Sequence, residues 1–141
     1  MRHRIKKIKF RQGRDANRML VRKLVKNFIT NSKIVTTIKK AKVLKSVIEK
    51  LIEKAKVESE ANKNILLKTI ADKKLVFRMF KEIGVTLKDK VGGYVRIVRL
   101  GRRDSDRSEM ARLEWVYPVV TSKEKLGIKK EAETKQPASK K

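Results

Sequence analysis

Apolar residues recur at three- and four-residue spacings along the first half of the chain, and these spacings predict two long helices. The first stripe is Leu20, Val21, Leu24, Val25 and Phe28, and the second is Leu44, Val47, Ile48, Leu51, Ile52 and Ala55. Side chains at such spacings lie on one face of an α-helix. The first helix is predicted to begin at Asp15, as its N-cap, and to stop at Asn31 and Ser32. The second is predicted over residues 39–56.

Two shorter helices are predicted after residue 58, each with a capping residue in front of its apolar positions. Ser59 precedes Ile65, Leu66 and Ile70, and Asp72 precedes Leu75, Val76, Met79, Phe80 and Ile83. Serine and aspartate side chains accept hydrogen bonds from the free N–H groups of a first helical turn. Gly84 is predicted to end the fourth helix, because glycine commonly follows a last helical turn.

Three segments predict strands. Residues 33–38, KIVTTI, and residues 94–100, YVRIVRL, are rich in β-branched side chains. In the third, Ala111, Leu113, Trp115 and Tyr117 alternate with Arg112 and Glu114, which is typical of a sheet that is covered on one face. The apolar members of this strand are predicted to pack beneath the helices. Residues 101–109 are predicted to form a loop or a wide hairpin connection.

The order of these elements is α-β-α-α-α-β-β, which predicts an α+β fold. Helices on one side of a small sheet give a two-layer α/β domain. Residues 1–14 are predicted to be a basic, extended N-terminal arm, and residues 15–118 a compact domain with one core. Residues 119–141 are predicted to be a lysine-rich disordered tail, because they lack the aromatic residues that a core requires.

The charge of the chain points to a polyanionic partner. Forty lysines and arginines face 15 aspartates and glutamates, which gives a net charge of +25. Such an excess repels itself in a compact protein and is complementary to closely spaced phosphates. The first fourteen residues contain seven lysines and arginines and no carboxylate. We therefore expect this arm to bind nucleic acid.

The composition disfavours enzymatic, metal-binding and membrane functions. There is no cysteine, His3 is the single histidine, and no catalytic motif such as GxSxG or HExxH occurs. Neither a metal nor another cofactor is predicted, and Asp104 and Asp106 are interpreted as loop polarity. No apolar run approaches a secretory signal or a membrane span. We expect a cytoplasmic protein with no membrane partner and no small-molecule substrate.

The first group of candidate RNA contacts lies in the arm and on the first helix. Its members are Arg2, His3, Arg4, Lys6, Lys7, Lys9, Arg11, Arg14, Arg18, Arg22 and Lys26. Lysine and arginine side chains can approach phosphates, and arginine can donate two parallel hydrogen bonds. His3 is expected to stack on a base or to bond a sugar rather than to act in catalysis. The helix residues are expected to extend the arm into one continuous cationic track.

A second group of candidates follows the fourth helix and consists of Tyr94, Arg96, Arg99, Arg102 and Arg103. Tyr94 is either a core aromatic or a ring that stacks on an exposed base. The two strand arginines either contact phosphate or form surface ion pairs, of which one is with Glu114 across the sheet. The two loop arginines either contact RNA or pair with the carboxylates of their own loop.

Four motifs together resemble one known family. They are the start MRHR, the helix ANRMLVRKLVKNFI, the junction IVTTIKKAKVLKSVIEKLIEKAK and the strand GGYVRI. In this order and spacing, over about residues 1–118, they resemble the bacterial large-subunit ribosomal protein numbered seventeen. The resemblance implies a two-layer α/β domain that binds 23S rRNA near the polypeptide exit tunnel. It also implies neighbouring large-subunit ribosomal proteins as partners, and no catalysis.

The resemblance also implies RNA-facing residues by position. These are the arm from Met1 to Arg14 and a basic junction of Thr36, Thr37, Lys39, Lys40 and Lys42. Residues 5–12 follow the charge of the family rather than a fixed motif, and nothing carries over to the tail after Pro118.

Two other functions compete with an rRNA-binding role. A free nucleoid-type DNA-binding protein is permitted by the composition alone. A cationic membrane-active protein is disfavoured, because the basic faces cover apolar cores and no exposed amphipathic helix rich in tryptophan is present.

Overall fold

The structure is a computed structural model and describes residues 13–119 of the chain. The elements in this range are α1 (Arg14–Asn31), β1 (Lys33–Thr37), α2 (Ile38–Ala55), α3 (Glu60–Ile70), α4 (Lys73–Arg78), β2 (Val95–Arg102) and β3 (Glu109–Trp115). The predicted α+β class and the order α-β-α-α-α-β-β are confirmed. Of the predicted arm, residues 1–14, the first twelve lie outside the described residues, and its last residue, Arg14, is instead the first residue of α1. The predicted tail from residue 120 also lies outside the described residues.

Helix α1 begins differently from the prediction. Gly13 is its N-cap, and no side chain caps the first turn. Asp15 lies inside that turn, where its carboxylate faces the positive end of the helix dipole. The predicted stop is confirmed, because Ser32 adopts a left-handed conformation with φ 62° and its N–H donates to the Phe28 carbonyl over 2.9 Å.

The predicted caps of the next two helices are confirmed. The hydroxyl of Ser59 accepts a hydrogen bond from the backbone N–H of Asn62 over 3.2 Å. The carboxylate of Asp72 accepts from the N–H groups of Lys74 and Leu75, over 3.1 and 3.4 Å. Each cap satisfies donors that have no carbonyl partner within their own helix.

The predicted stop of the fourth helix at Gly84 is wrong. Helix α4 continues through a π-helical segment, Met79–Gly84, into two further helical residues, 85 and 86. Gly84 does not adopt the left-handed conformation of a terminal cap. It packs against the end of α2, where a Cβ on Gly84 would lie 2.3 Å from the carbonyl oxygen of Ala55. Glycine is required there for a close approach between helices.

The three strands form an antiparallel sheet in the order β1-β3-β2. Leu113 in the central strand is in register with Ile34 on one side and Ile97 on the other. A register shift between Arg99 and Gly101 interrupts β2 near its end. Strand β3 ends at Trp115, so Tyr117 follows the strand instead of belonging to it.

The core lies between the helices and one face of the sheet. Its buried side chains include Phe28, Leu44, Ile48, Leu51 and Leu113, and Leu24, Trp115 and Tyr117 pack against them while partly buried. The ring of Trp115 lies 4.6 Å from that of Phe28, centroid to centroid, at an angle of 46°. The predicted packing of β3 beneath the helices is confirmed.

Candidate nucleic-acid interface

Positive charge is unevenly distributed along the described residues. Residues 13–48 contain ten lysines and arginines and one acidic residue. Residues 49–90 contain eleven basic and seven acidic residues, and residues 91–119 contain six and four. Carboxylates therefore neutralise much of the charge in the later helices and in the hairpin, and very little of it in α1, β1 and the start of α2. A polyanion would meet its most strongly cationic surface on these first three elements.

Three basic side chains of α1 are exposed, two in its first turns and one in its middle. Arg14 and Arg18 are exposed, and so is Lys23, which was not among the predicted contacts. Within residues 13–119 none of the three forms a side-chain hydrogen bond or ion pair, so a ligand can contact them without disrupting that part of the fold.

Arg22 and Lys26 have a different role, which revises the predicted cationic track along α1. The guanidinium of Arg22 donates to the backbone carbonyls of Lys68 and Thr69, each over 3.1 Å. Lys26 donates to the carbonyl of Ala71 over 3.4 Å, and its ammonium lies 3.8 Å from the carboxylate of Asp72. Both side chains satisfy backbone groups at the end of α3 and join α1 to the turn before α4.

The junction between β1 and α2 presents an almost unneutralised group of lysines. Thr37 is the N-cap of α2, and no acidic residue lies in the first turn. Lys39 and Lys42 are exposed, and Lys40 is half-buried. Thr36 is buried in register with Ala111 on the core side of the sheet. We therefore leave Thr36 out of the interface and retain the lysines.

The three candidate arginines around the β2–β3 turn are exposed, and they differ in whether a carboxylate pairs with them. Arg103 donates to both carboxylate oxygens of Asp106, over 3.0 and 2.6 Å. This pairing raises the pKa of Arg103 and, together with hydrogen bonds from Ser108, lowers the pKa of Asp106 well below its usual value. Of the two alternatives given for the loop arginines, Arg103 therefore follows the second, which is pairing with a carboxylate of its own loop. Arg99 and Arg102 are exposed, and no ion pair is seen for either within residues 13–119.

A second paired cluster lies on the outer face of the sheet. Glu114 accepts from Nε of Arg96 over 2.8 Å, and its other oxygen lies 2.9 Å from Nε of Arg112. The hydrogen bond from Arg96 is the main reason that the pKa of Glu114 lies below its usual value. The predicted pair between Arg96 and Glu114 is thus present. Arg112, in contrast, was not among the predicted contacts. The alternation of β3 nevertheless indicates that its side chain lies on the other face of the sheet from the buried Leu113.

The structure resolves the alternatives for Tyr94 in favour of the core. Its side chain is 1% exposed, so neither face of the ring is open to a base. The hydroxyl donates to the carboxylate of Glu53 and accepts from the ammonium of Lys56. Burial, and then the hydrogen bond with Glu53, raises the pKa of Tyr94 above its usual value. Tyr94 holds the start of β2 against the end of α2.

The remaining predicted contacts lie in the arm, outside the described residues. They are Arg2, His3, Arg4, Lys6, Lys7, Lys9 and Arg11. Within residues 13–119, no group of three or more metal-ligating side chains converges, and no helix is both long and apolar enough to cross a membrane.

Comparison with known proteins identifies the family of this basic α+β domain. The profile of the family described as Ribosomal protein L17 matches residues 20–116, which is more than half of the chain. The chain belongs to the ribosomal protein L17 family. The matched region runs from within α1 to just past the end of β3, and therefore includes most of α1, the later helices and the whole sheet.

Curated relatives from three bacteria are similar over most of this chain. The large ribosomal subunit protein bL17 of Sulfurihydrogenibium sp. (strain YO3AOP1) is 38% identical over 120 residues, covering 84% of this chain and 99% of the relative. The bL17 protein of Rickettsia bellii (strain OSU 85-389) is 35% identical, covering 87% of each chain. That of Bacteroides fragilis (strain YCH46) is 38% identical, covering 73% of this chain and 65% of the relative.

Proposed function

We propose that this L17 family member is a structural component of the large ribosomal subunit that binds and stabilises 23S rRNA near the polypeptide exit tunnel, and so supports translation. The observation that carries the proposal is the family match over residues 20–116. Its proposed partners are 23S rRNA and neighbouring large-subunit proteins, and its place of action is the ribosome in the cytoplasm. The role is structural, and no catalytic step belongs to it.

The distribution of charge supports RNA as the main partner. RNA phosphates attract lysine and arginine, and each neutralised phosphate releases a condensed counterion. The proposed contacts are the arm residues Arg2, His3, Arg4, Lys6, Lys7, Lys9 and Arg11, together with Arg14, Arg18, Lys39, Lys40, Lys42, Arg99 and Arg102. Arg14, Arg18 and the three lysines lie on elements where few carboxylates compete for the cations, whereas Arg99 and Arg102 are exposed and have no ion pair within residues 13–119.

Sedimentation of cell extracts tests the proposed function directly. We expect the full-length protein to co-migrate with the large subunit at moderate salt and to dissociate only at high salt, because its contacts are with phosphates. Distribution over chromosomal DNA, with none on the large subunit, would contradict the proposal and support a nucleoid protein. Cross-linking of the particle to a nascent chain stalled in the tunnel tests the proposed position.

Truncation tests the proposed role of the arm. Removal of residues 2–12 eliminates six lysines and arginines and leaves every described element in place. We expect the truncated protein to keep its circular-dichroism spectrum and melting temperature, and to assemble poorly into the large subunit. A large fall in melting temperature would show instead that the arm belongs to the core.

A further inference from the structure

The outer face of the sheet is an open surface within the described part of the chain. Its side chains are all exposed or half-buried, and they are Lys33, Val35, Thr37, Arg96, Val98, Met110, Arg112 and Glu114. The helices cover the opposite face, where Val95, Ala111 and Leu113 are buried. Such a face is a candidate for docking, and its charge indicates what can dock there.

We propose that the cluster of Arg96, Glu114 and Arg112 is a preorganised contact for the sugar–phosphate backbone of RNA. This inference rests on the proposed function and assigns one surface of the protein to it. Glu114 accepts a hydrogen bond from Nε of Arg96, and its second oxygen forms an ion pair with Arg112 at 2.9 Å without hydrogen-bond geometry at Nε. Within residues 13–119 the Nη groups of both arginines are left to donate to a ligand. Guanidinium groups with free Nη donors match the geometry of phosphate oxygens.

Exposure supports the same arrangement. The side chains of Arg96 and Arg112 are 63% and 40% exposed, whereas that of Glu114 is 19% exposed. The carboxylate therefore lies beneath the two guanidinium groups, and an approaching anion meets the cations first. The two arginines are diagonal neighbours across the β2–β3 pair, where Cα atoms lie about 7–8 Å apart. That spacing allows them to contact different phosphates of one strand.

The surroundings of the cluster favour RNA over the rest of this chain as the occupant. Lys33 is in register with Glu114 on the side away from Arg96, so the row has a cation at each end. Residues 1–12 contain six lysines and arginines and no carboxylate, and residues 120–141 contain seven lysines and three glutamates. Both segments are cationic and would be repelled by this face. A polyanion is complementary to it.

Paired charge variants test the contact. We expect Arg96→Gln with Arg112→Gln to weaken binding of large-subunit rRNA fragments roughly tenfold or more at about 0.1 M salt. The log–log salt slope should become shallower by about one to two units. The matched control is Lys63→Gln with Lys81→Gln, which removes two cations that are similarly exposed and similarly paired, with Glu60 and Glu58. This control should change affinity and slope far less, and equal effects of the two double variants would overturn the inference.

Glu114→Gln tests whether the carboxylate positions the arginines. The substitution makes the protein more positive. If the carboxylate only repels RNA, its removal should therefore tighten RNA binding. If Glu114 holds the guanidinium groups in place, binding stays equal or weakens despite the added positive charge. Tighter binding would therefore contradict the positioning role. Melting temperatures of all variants should be measured, so that loss of folding is not mistaken for loss of contact.

Cross-linking in the assembled particle gives an independent measurement. A photoreactive amino acid at Val35, which lies beside Arg112 on the open face, should cross-link to RNA in large subunits. Val85, which is similarly exposed at the end of the helical layer, is the comparison position. Cross-links from Val35 to protein alone would overturn the inference. If wild-type protein failed to bind rRNA at all, the proposed function itself would fail, so the two failures are distinguishable.

Discussion

Gly84 and Ala55 are in contact through their backbones, at a point where α2 and the π-helical segment leave no room for a side chain. A Cβ on Gly84 would lie 2.3 Å from the Ala55 carbonyl oxygen and 3.1 Å from the Met79 oxygen. Both obstacles are backbone atoms, so neither can rotate away as a side chain would. We expect Gly84→Ala to lower the free energy of unfolding by about 1–3 kcal/mol, because two packed segments must separate.

Gly92→Ala is the control for this substitution. Nothing lies within 4 Å of a Cβ at Gly92, and its backbone is not left-handed. Chemical denaturation of the two variants should show a loss for Gly84→Ala and little change or a small gain for Gly92→Ala. Equal stabilities would mean that the two segments do not approach so closely in solution.

Arg18 and Arg22 lie one turn apart on α1 and are predicted to differ in function. Arg22 donates to two carbonyls at the end of α3, whereas Arg18 is exposed. Arg22→Gln should cost about 1–2 kcal/mol of stability, because glutamine is shorter and cannot satisfy both carbonyls. It should leave the salt dependence of RNA binding nearly unchanged.

Arg18→Gln should give the opposite result. Its melting temperature should match that of the wild type, since glutamine and arginine have similar helix propensities. The salt slope of RNA binding should become shallower by about 0.7–0.9, the value for one lost phosphate contact. If Arg22→Gln changed the salt slope and Arg18→Gln did not, RNA would contact α1 on the side of Arg22. The structural role that we assign to Arg22 would then be wrong.

Most features that depend on neighbours in sequence were predictable from the sequence, with the cap of α1 as the exception. The caps at Ser59 and Asp72 act on N–H groups two or three residues away, so the local pattern contains the whole interaction. The alternation of β3 separated Leu113 from Glu114 for the same reason, since successive strand residues point to opposite faces.

Features that depend on distant contacts were not predictable. Periodicity placed Arg22 away from the apolar stripe of α1, but it could not reveal that the end of α3, 46 residues later, supplies its acceptors. The role of Gly84 depends on Ala55 in another helix, and that of Tyr94 on Glu53 and Lys56. Each of these residues has its function set by tertiary packing, which overrides the local pattern.

Trp115 should report on the packing of the sheet against α1. Its ring lies 4.6 Å from that of Phe28 and is partly buried against the core. We expect a blue-shifted fluorescence maximum, and a cost of about 3 kcal/mol for Trp115→Ala, at the lower end of the range for buried aromatic residues. Trp115→Phe should cost less, because it preserves a ring beside Phe28. An emission maximum typical of tryptophan in water would contradict this packing.

Tyr94 should make the stability of the protein sensitive to alkaline pH. Burial raises the pKa of its hydroxyl in the folded state, so the folded protein holds this proton more tightly than the unfolded chain does. The resulting stabilisation is fully present below the unfolded pKa of about 10 and is lost as the pH rises through the folded pKa. Burial alone would lower the pKa of Lys56, but its hydrogen bonds with Tyr94 and Glu53 raise it, so Lys56 contributes with the same sign.

Tyr94→Phe removes the hydroxyl and keeps the aromatic ring, so it measures the contribution of the hydroxyl alone. We expect it to lower the free energy of unfolding by about 1–2 kcal/mol at neutral pH, because the hydrogen bonds of the hydroxyl with two charged groups are lost. Glu53 and Lys56 should still form their ion pair, in which they lie 3.1 Å apart. Above about pH 10, the free energy of unfolding should fall less steeply in this variant than in the wild type. Tyr117→Phe, which leaves the Tyr94 network intact, is the control and should keep the wild-type slope. Parallel slopes for the wild type and Tyr94→Phe would show that the hydroxyl of Tyr94 titrates alike in the folded and unfolded chains, and is therefore accessible to water.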